Sequence, residues 1–280
     1  MHAPLTGPVP SVTIRPPRKW APLDLGELAA SHELLYFLVL RNLKLRYKQT
    51  ALGAAWALLQ PLLTMVIFTV VFGRLARLDS DGLPYEVFAL VALVPWTYFA
   101  NVLAQAGSSL VEQHLLLTRV YFPRLLLPLA AVLAGLLDLA IAFVLLLVMI
   151  GWYGIEVSAR LLTVPAFVLL AAAAALAPGI WLAALNVRYR DVRHAIPFLV
   201  QVWLFATPVA YSSTLVPERL RPLLGLNPMA TVVDGFRWTI APAANFPVRG
   251  LAISVVTVVV ILLTGLYYFR RVERSFADVV

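Results

Sequence analysis

The chain has 280 residues and a net charge of +8, and 61% of its residues are hydrophobic while only 13% are charged. A soluble domain is about half apolar and about a quarter charged, so this composition excludes an ordinary water-soluble fold. Apolar runs of about 20 residues, as long as a membrane helix requires, predict an all-α integral membrane protein rather than a β-barrel, whose short alternating strands are missing.

The positive charge does not indicate a nucleic-acid-binding protein. Arginine and lysine lie in the segments between the apolar runs, and neither a soluble basic domain nor an RNA-binding aromatic motif is present. The absence of cysteine excludes disulfides and thiolate chemistry. We therefore expect membrane lipid around the chain, and no nucleic acid as a partner.

The N-terminal part of the chain contains two predicted units. Residues 1–30 are rich in proline, lack the apolar core of a signal peptide and predict an extended cytoplasmic tail. Residues 31–48 predict an amphipathic helix in the membrane interface, with Ser31 as N-cap. Arg41, Lys44 and Lys48 share one face of that helix and are candidates for binding a phosphate headgroup. A simple anchor to anionic lipid explains the same face.

Residues 49–280 are predicted to form a six-span membrane domain. Fifteen of the 22 Lys and Arg residues fall on one side of the spans when the N-terminus is inside, so the positive-inside rule places both termini in the cytoplasm. This arrangement predicts a multi-pass membrane protein. The spans are Gly53–Gly73, Val87–Gly107, Leu125–Trp152, Leu161–Asn186, Ile196–Ser213 and Gly250–Phe269.

The inner segment between spans two and three, residues 108–124, predicts a short amphipathic helix that ends before Pro123. Its polar and aromatic side chains suit a surface that contacts another protein, although an ordinary positively charged loop explains its arginines. Arg188 and Arg190 lie on the next inner segment. The candidate contact residues are Glu112, His114, Arg119, Tyr121, Pro123, Arg188 and Arg190.

Aromatic residues near the middle of spans two and five are candidates for lining a channel. Tryptophan and tyrosine usually mark membrane interfaces, whereas Trp96 and Trp203 lie deeper. Flat aromatic faces suit the C–H groups of sugar rings, although ordinary helix packing explains them equally well. The candidate channel residues are Trp56, Trp96, Tyr98, Phe99, Trp203, Phe205 and Tyr211.

Asp138 lies near the middle of span three. A carboxylate at this depth is costly unless it faces protein or water. We expect a structural hydrogen bond between helices. Proton coupling is the alternative, but the spans hold no His, Lys or Arg for a relay.

The outer segment Thr214–Arg249 is long and apolar, and its prolines predict short re-entrant or interfacial helices between spans five and six. No catalytic or metal site is expected in the chain. It lacks the glycine-rich phosphate loop, the H-E-x-x-H zinc motif and the nucleophile turn. If transport uses ATP, a separate subunit must bind it.

Four motifs in order resemble the membrane subunit of ABC-type polysaccharide exporters, closest to the O-antigen (lipopolysaccharide) export permeases. The resemblance covers about Glu33 to Phe276 and excludes the proline-rich tail. The motifs are "YKQTALGAAWALLQPLLTMVIFTVVFG", "LLLTRVYFPRLLLPLA", "LNVRYRDVRHAIPFLVQVWLFATPV" and "LNPMATVVDGFRW".

The resemblance implies a homodimer of six-span subunits paired with two separate ATP-binding cassette subunits, which would hold ATP and Mg. It implies a polysaccharide on an undecaprenyl diphosphate carrier as substrate. It also implies a coupling helix in residues 108–124, a channel lined by spans one, two and five, and short closing helices in Leu220–Ile240. Capsule and teichoic acid export permeases are the nearest alternative. An intramembrane glycolipid enzyme and a proton-coupled carrier that uses Asp138 are more distant ones.

Overall fold

A computed structural model describes residues 25–48, 55–119, 121–189, 191–241 and 246–273, and every regular element in these ranges is helical. Three short π or 3-10 turns, Thr69–Leu75, Ala159–Thr163 and Ser213–Leu215, accompany the α-helices. The α-helices are α1 Leu25–Ala30, α2 His32–Tyr47, α3 Ala55–Phe68, α4 Tyr85–Glu112, α5 His114–Arg119, α6 Leu126–Trp152, α7 Val164–Arg188, α8 Val192–Ala206, α9 Arg221–Leu224, α10 Pro228–Ile240 and α11 Val248–Val272.

Within the described residues, five helical segments are long and apolar enough to cross a membrane. They correspond to predicted spans one, two, three, four and six, and their limits differ from the predicted ones by a few residues. The observed segments are Ala55–Leu75, Tyr85–Glu112, Leu126–Trp152, Ala159–Arg188 and Val248–Val272. The all-α membrane fold is therefore confirmed at this level, whereas the count of six spans stays a prediction.

Helix α4 forms the centre of the bundle. Most of its apolar stretch is buried, whereas α3 and α11 are largely exposed. Helix α6 approaches α4 closely at Gly135, where a Cβ atom would lie 2.4 Å from Val102 Cγ2. Helix α7 is held to α4 by the buried Asn186 side chain, which donates a hydrogen bond to the Gly107 carbonyl at 3.0 Å. Small residues at such contacts let membrane helices approach each other.

The predicted fifth span is broken. Helix α8 ends at Ala206 rather than at Ser213, because Pro208 cannot donate a backbone hydrogen bond and disfavours helical geometry at the residue before it. Thr207 is accordingly extended, with φ −102° and ψ 135°. At about 1.5 Å per residue, the 15 residues of α8 are too short to cross about 30 Å of hydrocarbon as helix.

The broken segment nevertheless follows α4 for nearly its whole length. Near one end of α4, a Cβ atom on Gly107 would lie 2.9 Å from Ile196. At the other end, the Tyr85 hydroxyl donates to the Ala210 carbonyl at 2.6 Å. Helix and extended chain together therefore connect the two ends of the bundle. We call them the α5 end, where α4 stops and α6 begins, and the α10 end, where α4 begins.

Helix α2 packs along the first half of α6. Leu38 belongs to the apolar cluster that contains Leu126 and Ala130, and Arg46 reaches Asp138 further along the same helix. Successive residues of α2 therefore meet successive residues of α6. Its predicted position in the membrane interface stays a prediction.

Two other predicted segments differ from the structure in their limits. The last six residues of the predicted N-terminal tail form α1, and residues 1–24 lie outside the described part of the chain. In the 108–124 segment, α4 continues to Glu112 and the short helix α5 ends at Arg119, before Pro123. Pro123 instead begins the turn into α6, where its carbonyl accepts from the Leu126 amide at 3.0 Å.

Candidate functional site

Asp138 is held by the end of the N-terminal helix α2. Arg46 forms an ion pair with its carboxylate, and the Tyr47 hydroxyl donates a hydrogen bond to Asp138 Oδ1. Arg46 also donates to Gln105 Oε1 on α4. The expected structural contact between helices is therefore present. The basic partner that the sequence left unidentified is Arg46, which comes from a helix outside the predicted spans.

This ion pair closes one side of a cleft between α2, α3, α4 and α6. The cleft has a volume of about 270 Å³. Its walls combine charged, amide, hydroxyl and aromatic side chains with a few apolar ones. The lining residues are Arg46, Tyr47, Trp56, Ala57, Gln60, Pro61, Thr97, Tyr98, Asn101, Gln105, Asp138, Leu139 and Ala142.

The cleft lies about midway along α6. Asp138 is twelve residues into α6, which begins at Leu126, or about 18 Å along the helix axis at 1.5 Å per residue. Its side chain and that of Arg46 are 15% and 23% exposed. Removing one partner of such a pair leaves an uncompensated charge at a cost of about 3–5 kcal/mol. The pair therefore fixes the end of α2 against the two helices.

The predicted headgroup residues lie on another face of α2. Arg41, Lys44 and Lys48 border a shallow groove of about 450 Å³, together with Phe37, Leu40 and Leu45. No ion pair within the described ranges involves these three cations. A groove with cations and apolar side chains suits an anionic amphiphile, and the headgroup role stays a prediction.

The predicted channel residues separate into two groups. Trp96, Tyr98 and Phe99 are buried within the subunit, and the Phe99 ring contacts Trp203 edge to face at 5.0 Å between centroids. Trp56 and Phe205 are exposed, and Tyr211 is half-buried. The structure therefore does not bring the seven residues together on one surface of a single subunit. Their channel-lining role stays a prediction.

Trp203 has a structural contact that sequence reasoning missed. Its indole Nε1 donates to Asn227 Oδ1 at 2.9 Å. The Asn227 amide nitrogen donates to the Ala206 carbonyl at 3.1 Å, where α8 ends. The same Asn227 oxygen accepts from the Met229 amide and caps α10. Asn227 therefore joins the broken end of α8 to the start of α10.

Those predicted contact residues for a partner subunit whose side chains the structure describes lie around one apolar cluster at the α5 end. Phe122 and Val187 are buried in that cluster, whereas Glu112, His114 and Tyr121 are exposed around it. Pro123 is half-buried, and Arg188 is exposed with its guanidinium carbon 5.5 Å from the Tyr189 ring centre. Arg190 and the side chain of Arg119 lie outside the described residues.

A buried arginine holds the broken segment at the α10 end. Arg237 of α10 is 2% exposed and donates to the carbonyls of Val209 and Tyr211 at 3.0 and 3.1 Å. These two carbonyls follow the end of α8 and accept no helical hydrogen bond. In a membrane protein, backbone groups of this kind need hydrogen-bond partners within the protein. Ser212 Oγ donates to the Asp81 carboxylate at 2.8 Å. Arg237 thus replaces the backbone hydrogen bonds that the break removes.

Asp234 lies one turn before Arg237 on α10. Burial raises the pKa of the Asp234 carboxyl to about 6, and the nearby Arg237 guanidinium opposes the shift. Burial likewise lowers the pKa of Arg237 to about 10, so the guanidinium stays charged at neutral pH. In the sequence, the proximity of these two charged residues was indicated only by their i,i+3 spacing within an apolar segment.

Comparison with known proteins places this architecture in a family. Residues 33–241, from α2 to α10, match the family described as ABC-2 type transporter. The chain belongs to the ABC-2 type transporter family. The match includes both the cleft of this transporter and the Arg237 contacts. The resemblance seen in the sequence is thereby confirmed.

Named relatives cover most of this transporter. It is 35% identical to the O-antigen export system permease protein RfbA of Myxococcus xanthus over 213 residues, which cover 75% of this chain and 81% of that protein. It is 24% identical to the protein of the same name of Klebsiella pneumoniae over 248 residues, with 88% and 95% covered. It is 25% identical to the polysialic acid transport protein KpsM of Escherichia coli over 245 residues, with 85% and 93% covered.

Proposed function

We propose that this chain is the permease subunit of an ATP-driven exporter that moves a polysaccharide of the O-antigen type across the bacterial inner membrane. The observation that carries the proposal is the similarity to O-antigen export permeases over nearly their whole length. The helical bundle with a polar cleft between its helices agrees with a transport role.

The energy for export comes from two separate ATP-binding cassette subunits, which hold ATP and Mg. Family membership and the lack of a phosphate loop in this chain support the assignment of ATP hydrolysis to a separate subunit. The α5 end offers the surface for these partners. Exposed Glu112, His114 and Tyr121 stand there around the buried Phe122, so motion of the partner would reach α4 and α6 together.

The working unit is a homodimer. Support comes from α3 and α8, which expose large apolar side chains that lipid or a second copy must cover. In a dimer, the exposed Trp56 and Phe205 would face the shared channel. The exposed side chains include Leu63, Val66, Ile67, Phe198, Val202 and Phe205.

The substrate is linked to a polyprenyl diphosphate carrier, undecaprenyl diphosphate in bacteria. Arg41, Lys44 and Lys48 provide three cations beside the apolar side chains of Phe37 and Leu45, which suits a diphosphate attached to a lipid chain. With this face at the cytoplasmic leaflet, both termini are cytoplasmic. The exported chain then leaves at the α10 end.

Capsule export is the second candidate, because the chain is also similar to a polysialic acid transport protein over most of both lengths. Deleting the gene in its host and restoring it on a plasmid tests both candidates. We expect the deletion to remove a lipopolysaccharide-linked glycan from the cell surface and the plasmid to restore it. Loss of a capsule with normal lipopolysaccharide would instead favour capsule export, and an unchanged surface glycan would contradict both.

A further inference from the structure

We propose that the cleft between α2, α3, α4 and α6 binds a single uncharged sugar unit of the exported glycan. The inference rests on the proposed function for its biological meaning, but the binding itself is testable separately. Its residues are distinct from Arg41, Lys44 and Lys48 on α2, whereas two of them, Trp56 and Tyr98, are also predicted channel residues. Four observations support a sugar as the ligand: open amides, aromatic walls, a neutralised charge and a small volume.

Two amide side chains face the cleft without a protein partner. Gln60 on α3 and Asn101 on α4 line it. Neither side chain has a hydrogen-bond partner within the part of the chain that the structure describes, and neither is sealed from solvent. Gln60 is exposed and Asn101 is half-buried, and an amide at membrane depth is costly unless water or a polar ligand satisfies it. Each amide offers both donors and an acceptor, which sugar hydroxyls can match.

Aromatic side chains complete two walls of the same cleft. Trp56 is half-exposed on α3, and Tyr98 on α4 is buried with its hydroxyl donating to the Val132 carbonyl at 3.2 Å. Because Tyr98 is 2% exposed, its ring closes the cleft on the α4 side, and Trp56 supplies the accessible aromatic face. Aromatic faces are negative and attract the weakly positive C–H groups of a sugar ring.

The charges of the cleft cancel. Among the described residues that line it, Arg46 and Asp138 are the only charged ones, and they form an ion pair with each other. An anionic ligand would have to compete with Asp138 for Arg46 and would leave the carboxylate uncompensated. A neutral polyhydroxyl ligand leaves the pair intact. A diphosphate therefore belongs to the Arg41, Lys44 and Lys48 face, and a neutral sugar belongs here.

The size of the cleft suits a ligand of about one sugar ring. Drug-sized ligands occupy pockets of about 300–1,000 Å³, and this cleft has about 270 Å³. A long glycan therefore cannot fill it, but one unit of the chain can. A weak site of this size would bind successive sugar units in turn and release each one, so the glycan would not be held in place.

A reporter thiol tests the proposal, because the natural chain has no cysteine. Ala57→Cys places a thiol on the cleft wall and leaves every polar lining residue unchanged. Val144→Cys on α6 is the control, since Val144 is 59% exposed on the apolar surface of the helix. The complex with its ATPase, in lipid nanodiscs, is treated with an anionic methanethiosulfonate reagent. The probes are methyl glycosides of neutral hexoses, 6-deoxyhexoses and N-acetylhexosamines, with inorganic diphosphate as the anionic comparison.

We expect the Ala57→Cys thiol to react and the Val144→Cys thiol to stay unmodified. At least one glycoside should slow the reaction by roughly tenfold at saturation, and diphosphate should not. Adding Gln60→Ala and Asn101→Ala removes two hydrogen-bonding side chains and should weaken this protection by roughly tenfold or more.

An unreactive Ala57→Cys thiol would overturn the proposal, as would a reaction that no glycoside slows. Stronger protection by diphosphate would assign the cleft to the headgroup instead. Protection that survives the double alanine change would mean that the amides are not the binding groups. The proposed function is tested separately by the gene deletion. A deletion strain with unchanged surface glycan would contradict that function, independently of the result of the thiol experiment.

Discussion

The guanidinium carbon of Arg237 lies 3.7 Å from the centre of the Phe88 ring, and both side chains are buried. The contact joins α10 to the first turn of α4. A cation over an aromatic ring is worth about 2 kcal/mol when water is excluded. The same guanidinium holds the carbonyls of Val209 and Tyr211. One side chain therefore connects the short helix α10, the central helix and the broken segment after α8.

Arg237→Met should lower the thermal stability of the purified subunit. The change keeps most of the side-chain volume but leaves the Val209 and Tyr211 carbonyls without their charged donors, at a cost of about 3–5 kcal/mol. The melting temperature in detergent measures the effect. Arg249→Met is the matched control, because Arg249 is exposed near the start of α11. Equal melting temperatures for the two variants would contradict the role given to Arg237.

Asp234→Asn should change stability in a pH-dependent way. The folded carboxyl keeps its proton up to about pH 6, compared with an ordinary value of 3.8, so the folded state binds more protons between these values. The stability of the wild-type protein therefore falls as the pH rises through this window. Asparagine imitates the protonated acid and avoids that loss. The melting temperature of the variant relative to wild type should thus be higher above pH 6 than below pH 4, and a constant difference would refute the shift.

Arg46 and Asp138 should be strongly coupled in a double-mutant cycle. Asp138→Leu leaves the Arg46 guanidinium buried without its carboxylate, and Arg46→Leu does the converse, each at about 3–5 kcal/mol. The double Leu variant should be more stable than either single variant. Melting temperatures of the four proteins give the coupling, and additive effects would contradict a direct pair.

Asp138→Asn should keep most of the export activity, since the amide oxygen still accepts from Arg46 and the Tyr47 hydroxyl can accept from the amide NH2. Surface glycan measured per folded complex tests this expectation. A stable Asn variant that has lost proton-dependent transport would instead favour a carrier mechanism.

Reversing the charges of Arg41, Lys44 and Lys48 to Glu should block export while the complex still assembles. The three side chains lie on the groove face of α2, away from the Arg46 contact, so the helix should stay attached to α6. Glycan at the cell surface and co-purification of the ATPase are the two measurements. Reversal of Arg219, Arg221 and Arg249 serves as the control for net charge. Normal export by the triple Glu variant would mean that these three side chains only anchor α2 to lipid and do not bind the headgroup of the substrate.

Residues 108–124, at the α5 end of the bundle, should couple ATP hydrolysis to export. Pro123→Ala restores a backbone N–H and frees φ at the start of the turn into α6, and Arg119→Glu reverses a charge at the expected partner contact. Both variants should assemble, hydrolyse ATP at a basal rate and export little glycan. Arg188→Glu should act in the same direction but more weakly.

The ratio of exported glycan to ATP consumed measures this coupling, with assembly checked by pull-down. An unchanged ratio in the assembled Pro123→Ala and Arg119→Glu variants would mean that residues 108–124 are an ordinary loop.

The amino-acid sequence by itself determined the membrane class and most of the helices. Long apolar runs must become helices because their backbone groups have no other partners in hydrocarbon, so five of the predicted spans were recovered within a few residues. The order of four motifs was enough to indicate the family. The break after Ala206 was also readable in principle, since Pro208 stands directly behind Thr207.

Only the tertiary structure decided which polar groups meet. Arg46 and Asp138 are 92 positions apart, and no periodicity in the sequence links a helix before the first span to the middle of the third. The same limit applies to Arg237, whose partners Val209 and Tyr211 are carbonyls exposed by a break elsewhere. Hydrophobic patterns specify which face of a helix is buried, whereas the pairing of buried charges depends on how the helices pack against one another.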